Sequence, residues 1–289
     1  MKSWMHTSNS DHICQETVAV EQHVPLACDT YRLRLPCPSI AANILPGQFL
    51  MLRLTGTNDP LLGRPLALYD TYRDASGRPQ GVDIVYQAIG RMTRRLATLK
   101  VGDRLDIWGP LGNGFPPTET GHLIMVAGGI GQTPFLALAR HYLGLGDYGQ
   151  PPRSVPRAAK VTLCYGLRTA SYAAGIDDFR RLGVEVLIST DDGSAGHCGT
   201  VIDLVSPVVK ASPYPCRIVA CGPEKMLHAT ADLAAGIGLP CQVSLESPMA
   251  CGIGICFSCV TKIRDVQGDW DYRRICVEGP IFNAADVEF

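Results

Sequence analysis

The run HLIMVAGGIGQTP, His122 to Pro134, decides how the middle of this chain folds. His122 to Ala127 is apolar without alternation, as a strand buried on both faces of a parallel sheet reads. Gly128, Gly129 and Gly131 follow it, and a helical stretch from Phe135 to Leu145 comes next. Glycines at the carboxyl end of a parallel strand let the backbone approach a pyrophosphate, whose charge is favoured at a helix N-terminus. Taken alone, GGIG is equally well explained as a tight turn, and G-x-G-x-x-G is not matched, so a dinucleotide fold other than the Rossmann one is expected. A second glycine turn, CGPEKM at Cys221 to Met226, follows the apolar run Arg217 to Ala220. Two such turns at the ends of different strands converge on one crevice in an α/β sheet.

Working outward, Lys160 to Tyr165 and Val184 to Ser189 are similar runs, with helix candidates at Asp177 to Leu182, Val201 to Val209 and Glu224 to Gly236. Apolar strands alternating with helices imply a parallel sheet covered on both faces. The proline-bearing tract Leu145 to Ala158 reads as a surface loop. Upstream the pattern changes to short strands broken by turns: Thr17 to His23, Thr30 to Leu35, Gln48 to Leu54, Pro65 to Tyr69, Val82 to Ala88 and Arg104 to Trp108. That spacing predicts a small antiparallel barrel ending near Gly109, with Thr93 to Leu99 as a helical insert. Within it, Gly63-Arg64-Pro65-Leu66-Ala67-Leu68-Tyr69 sets a cation beside a rigid strand. Arginine binds phosphate bidentately and Tyr69 offers a ring to stack on a flat cofactor, although a surface Arg and a half-buried Tyr also account for the segment. Thr93 opens the short helix, where a hydroxyl and free N–H groups can hold a second phosphate.

Downstream, Cys251, Cys256 and Cys259 stand in CGIGICFSC, and Cys276 follows in RRICVEGP. The spacing C-x4-C-x2-C with a distant fourth Cys is that of a [2Fe-2S] loop. Gly252 and Gly254 supply the tight coiling, since glycine takes positive φ without a Cβ clash. A structural zinc site usually shows two C-x2-C hooks, and here there is one. Disulfides are conceivable with 12 Cys in 289 residues. However, the polar stretch Met1 to Ile13 has no secretory character, so an intracellular, cytoplasmic protein with free or metal-bound thiols is expected. The other cysteines (14, 28, 37, 164, 198, 216, 221, 241) read mostly as small buried hydrophobes. A formal net charge of −1 gives no reason to expect a nucleic-acid partner, and no apolar run is long enough for a membrane span. The expected organisation is multidomain. A disordered tail covers 1–15, an antiparallel β-barrel 16–116, an α/β parallel-sheet nucleotide domain 117–245, and a small cluster-binding module 246–289.

From about Glu16 to its end the chain resembles the electron-transfer subunit of class 1B dihydroorotate dehydrogenases, a branch of the ferredoxin–NADP reductase superfamily. RPLALYD, GPLGNGFP (Gly109 to Pro116), VAGGIGQTP, STDDGSAGHCGTVID (Ser189 to Asp203), CGPEKML, SLESPMACGIGICFSC and CVEGPIF carry the resemblance. It implies FAD on the barrel, NAD on the parallel sheet and the [2Fe-2S] cluster on Cys251, Cys256, Cys259 and Cys276. Carried over by position, the flavin segments are Arg64, Pro65, Leu66 and Ala67, with Tyr69 beyond them, then Val85, Tyr86 and Gln87, then Met92 and Thr93. Gly129, Gly131, Gly222 and Pro223 would hold NAD. Cys221 would stand at the nicotinamide–flavin junction as a positioning group, against the alternative of an inert core thiol. Three departures stand out. Ala67 replaces the usual Ser, Met92-Thr93 replaces Gly-Thr, and VYQAIG lacks the usual tyrosine–arginine pair, with Arg91, Arg94 and Arg95 as nearby cations. The implied activity is an oxidoreductase subunit in pyrimidine biosynthesis, passing electrons from a dihydroorotate-oxidising FMN partner to NAD within a heterotetramer of two of each subunit. Two alternatives remain open at this point: a reductase serving an oxygenase, sulfur reductase or ferredoxin, and a zinc-stapled nucleotide-binding regulator.

Overall fold

The computed structural model describes residues 12–265 and 267–289. Residues 1–11 of the expected tail lie outside them, and the chain is already a strand from Cys14. The first sheet holds β1 (Cys14–Ala19), β2 (Gln22–Ala27), β3 (Thr30–Pro36), β4 (Phe49–Leu54), β5 (Arg64–Arg73), β6 (Pro79–Gln87) and β7 (Arg104–Leu111) in the order β1-β7-β4-β5-β6-β3-β2. Its pairings are antiparallel. β1 and β2 form its opposite edges, yet only Val20 and Glu21 separate them. The sheet must therefore curl until its edges meet, which makes the barrel. This also corrects the expectation of one strand over Thr17 to His23. The Val20 N–H donates to Asp103 on the β7 side and the Glu21 N–H to Arg34 on the β3 side, so the run changes partner at the corner. The helical insert, α2 (Arg91–Leu96), starts two residues earlier than expected, and a further short helix, α1 (Pro38–Asn43), carries Ile40 and Ala41 into the barrel core.

The second sheet runs β11 (His197–Cys198), β10 (Glu185–Thr190), β9 (Lys160–Leu167), β8 (His122–Gly128), β12 (Cys216–Cys221), β13 (Cys241–Ser244), β16 (Ile281–Asn283). All its pairings are parallel except that of β16. Side chains alternate across a strand, so β8 serves two cores. Leu123, Met125 and Ala127 join Phe135 of α3 (Phe135–Tyr142) and Phe179 of α4 (Ile176–Arg181). Ile124 and Val126 join Val205 of α5 (Ile202–Ala211) and Leu227 of α6 (Glu224–Gly236). That is why the sequence of β8 is apolar without alternation. Leu145 to Ala158 contains no helix or strand.

The two sheets are tied by buried polar contacts. Tyr148, in the proline-bearing loop, donates to Asp70 of β5 at 2.6 Å, and Arg140 of α3 pairs with the same carboxylate at 2.9 Å. In the cluster-binding segment, β14 (Val260–Arg264) and β15 (Trp270–Arg274) form a hairpin, while β16 joins β13 as an edge strand of the parallel sheet. Among the described residues no helix is long and apolar enough to cross a membrane.

Candidate electron-transfer site

The chain leaves β8 toward β9 and β10 on one side and returns to β12 and β13 on the other, so strand order reverses between β8 and β12. Ligands of open α/β sheets bind in the crevice beyond the strands' carboxyl ends at such a point. Both glycine turns lie there. A cleft of about 1280 Å³ opens over them, lined by Gly129, Gly131, Gly222 and Pro223 and reaching Gln87 of the barrel. The two turns touch. A Cβ on Gly131 would fall 2.2 Å from the Cys221 carbonyl oxygen and 2.8 Å from the Gly222 nitrogen. Gly129, at φ +56°, has nothing within 4 Å of its Cβ position. Gly131 is thus bare so that the turns can pack, and Gly129 is the glycine with open space before it. The space fits an extended dinucleotide. Cys221 is 4% exposed and does not line the cleft, and burial pushes its thiol well up.

The flavin segments are placed unevenly. Arg64, Pro65, Leu66 and Ala67 are half-buried at the start of β5. The Arg64 Nη1 donates to the carbonyls of Leu62 (3.2 Å) and Gly63 (2.9 Å), which leaves Nε and Nη2 without a protein partner among the described residues. That fork fits a phosphate. Tyr69 is buried, and its hydroxyl donates to Asp178 of α4 at 2.9 Å, so its ring holds the two sheets together rather than standing open for stacking. Tyr86 is likewise buried, stacked near Tyr31 and His23, with Val85 and Met92 in the cores beside it. The Thr93 hydroxyl accepts the Gly90 N–H at 3.0 Å and donates to the Gly90 carbonyl at 3.2 Å. It is spent on its own helix start and does not stand free as the expected phosphate donor.

Cys251 to Cys259 forms a loop bent by positive φ at Gly252 (74°), Gly254 (87°) and Phe257 (55°). Cys259 and Cys276 are buried, Cys251 is half-buried and Cys256 is exposed. Ser258, and after it Cys251, holds Cys256 down to about 6; burial, and after it Cys259, pushes Cys276 up to about 12. A two-iron cluster takes two thiolates on each iron, and this donor set fits it. Among the described residues no three His, Cys, Asp or Glu side chains gather as around a single ion. All twelve cysteines are free; of the other eight, Cys37, Cys164 and Cys221 are buried, whereas Cys28 and Cys198 are exposed, which corrects the expectation that most are core residues.

Two contacts that the sequence did not announce join the cluster loop to the barrel at the start of β5. Trp108 of β7 donates its indole N–H to the Cys251 carbonyl at 2.9 Å, and a Cβ on Gly63, beside Arg64, would strike its ring. Gly252 lies against Met51 of β4, which is paired with Pro65. Asn113, within GPLGNGFP, clasps the closing CVEGPIF. Its side chain donates to the carbonyls of Glu278 (3.0 Å) and Ile281 (2.8 Å) and accepts the Ile281 N–H (3.1 Å). A cluster, a flavin and a nicotinamide held in this arrangement form one relay.

Comparison with known proteins agrees. Residues 17–115 match the oxidoreductase FAD-binding domain, and residues 246–288 match the iron–sulfur cluster binding domain of dihydroorotate dehydrogenase B. The dihydroorotate dehydrogenase B (NAD(+)) electron transfer subunit of Desulforamulus reducens is 34% identical over 264 residues, 91% of this chain and 94% of the relative. Its namesake from Fusobacterium nucleatum is 31% identical over 94% of this chain and 98% of the relative. A solved NADH-dependent reduced ferredoxin-NADP oxidoreductase, described for flavin-based electron bifurcation, superposes with a TM-score of 0.76 at 26% identity, covering 94% of this chain and 89% of that one. The chain belongs to the family of dihydroorotate dehydrogenase B electron transfer subunits.

Proposed function

We propose that this chain is the reductase half of an NAD-linked dihydroorotate dehydrogenase. An FMN-bearing catalytic subunit oxidises dihydroorotate, and the electrons pass through this chain's [2Fe-2S] cluster and FAD to NAD in pyrimidine biosynthesis. In this reading the assembly holds two of each subunit and works in the cytoplasm. Nicotinamide exchanges two electrons as a hydride and a cluster passes them singly, so a flavin must stand between. The observation that carries the reading is the seat of the cluster loop on the flavin strand through Trp108 and Met51, with Cys256 facing outward. Electrons can enter at the exposed thiol and leave toward the barrel.

Arg64 holds a flavin phosphate in this reading. Arg64→Ala is expected to weaken FAD binding about ten- to hundredfold, the loss of roughly 1.5–3 kcal/mol from a charged hydrogen bond. Flavin retention after dilution measures it, and full retention would reassign Arg64. Around Cys256, Ile253, Ile255, Phe257 and Val277 are exposed. This rim supports a partner docking over the cluster. Replacing Ile255 and Phe257 together by Asp is expected to weaken the complex by at least about 2 kcal/mol, roughly thirtyfold, while leaving both cofactors bound.

Co-expression with a candidate FMN subunit tests the whole reading: a co-purifying complex reduces NAD with dihydroorotate, and neither subunit does so alone. The likeness to the ferredoxin-NADP oxidoreductase favours a second reading, in which the same relay serves ferredoxin. Reduction of ferredoxin with no dihydroorotate activity in any complex would select it.

A further inference from the structure

Gln132 closes the run GGIGQ, and its backbone belongs to the short 3₁₀ helix, Gly129–Gln132, that makes the first glycine turn. Its side chain does not line the cleft. It is fully buried, and among the described residues neither its Nε2 nor its Oε1 has a hydrogen-bond partner. A buried amide left unpaired is costly, and an apolar side chain of the same size would fill the space without that cost. Such a group in a core calls for a use.

The amide reaches the junction of the two sheets. A Cβ on Gly175, the residue before α4, would lie 2.4 Å from the Tyr69 hydroxyl and 3.7 Å from the Gln132 Nε2. Both groups therefore stand over one bare glycine without bonding each other. The Tyr69 hydroxyl donates to Asp178 at 2.9 Å, and its oxygen has room to accept a donor. Asp178 is also held by Arg181 at 3.0 Å and faced by Arg32 at 3.7 Å, whose buried Nε is likewise unpaired among the described residues. Tyr69 stands two residues beyond Ala67 on β5, about 7 Å along a strand, so a bond to its hydroxyl is felt in the flavin segment. A ligand shifts an equilibrium only through interactions that differ between two states. An amide unpaired in the free protein, on the turn that faces the ligand, supplies that difference.

We propose that Gln132 is a positioning residue through which occupancy of the nucleotide turn is felt at the flavin strand. With a dinucleotide on the turn, the Gln132 Nε2–H donates to the Tyr69 oxygen while Tyr69 goes on donating to Asp178. The closed chain of Gln132, Tyr69 and Asp178 then fixes β5 against the parallel sheet for hydride transfer. The proposal rests on NAD lying at the glycine turns, and the identity of the partner subunit does not enter it.

The test titrates the full chain, with FAD and cluster bound, calorimetrically with NAD. Gln132→Leu is expected to preserve or raise the denaturation midpoint of the NAD-free protein, because the unpaired amide is gone. It is nevertheless expected to weaken NAD binding about tenfold, the worth of one hydrogen bond gained on binding, although its side chain does not line the cleft. The change that NAD causes in the flavin absorption spectrum is expected to disappear with it. Tyr69→Phe, which leaves Asp178 its bond from Arg181, is expected to weaken NAD binding by the same factor, and the double variant by no more than either. Unchanged NAD affinity in Gln132→Leu, or losses that add in the double variant, would overturn the proposal. So would a lowered midpoint in Gln132→Leu, since the amide would then be bonded in the free protein. Gly129→Ala, titrated beside them, keeps two failures apart. Weakening there with none in Gln132→Leu overturns the link alone, and no weakening in either overturns the NAD seat with it. Should Gln132→Leu lose its flavin, Tyr69→Phe decides by the same titration: tenfold weakening supports the link and unchanged affinity overturns it.

Discussion

Cys256→Ser is expected to bleach the visible cluster bands and to stop electron flow between NAD and any one-electron partner, while NADH-driven reduction of small two-electron dyes survives. Four thiolates complete one cluster, so about two irons and two sulfides per chain should fall toward zero. Cys256 is the informative ligand because it is exposed and bonded only to its neighbours in the loop. Cys259 and Cys276 are buried in the core that also holds Met51 and Leu111, so their replacement would disturb the fold as well as the cluster. Dye reduction needs only the crevice and the flavin strand, which the substitution does not touch. Stoichiometric zinc without sulfide in the wild-type protein, or loss of dye reduction together with the cluster, would contradict this division.

The second large effect separates two neighbouring glycines. Gly131→Val is expected to destabilise the fold by about 3 kcal/mol, because its Cβ meets backbone atoms of Cys221 and Gly222 that cannot rotate away. Gly129→Ala is expected to lose only about 1 kcal/mol, the strain of a side chain at positive φ. That methyl, however, projects into the open cleft, so it should raise the KM for NADH sharply with FAD and cluster spectra unchanged. Chemical denaturation and NADH kinetics on the two variants check this. Equal stabilities, or a KM effect at Gly131 in a protein of wild-type stability, would return the pyrophosphate contact to Gly131.

These two glycines show where the sequence was legible. GGIG and CGPEKM announced two turns at strand ends, and strand order places them at one switch point. Sequence could not say that the turns touch each other, because the contact spans the gap from Gly131 to Cys221. Helix α6 occupies Glu224 to Gly236 as its periodicity and the flanking CGP imply. By contrast, Thr17 to His23 alternates continuously through the barrel corner, so nothing in its pattern marks the change of partner at Val20 and Glu21. β16 is three residues long, too short to carry a period, so nothing in the sequence marks its pairing with β13. In the sequence the hydroxyls of Tyr69 and Thr93 look free to act, but Asp178 and Gly90 already satisfy them. Trp108 and Asn113 carry no chemical signature, since each acts through a backbone carbonyl distant in sequence.

Anaerobic titration of the purified full chain with NADH, followed by visible absorption and low-temperature electron paramagnetic resonance, tests the relay most directly. The account predicts about two irons and two sulfides per chain, loss of flavin absorbance, and the signal of a reduced [2Fe-2S] cluster growing from the same electrons. Bleaching of the flavin with no cluster signal at any NADH concentration, in protein that holds its iron and sulfide, would contradict it.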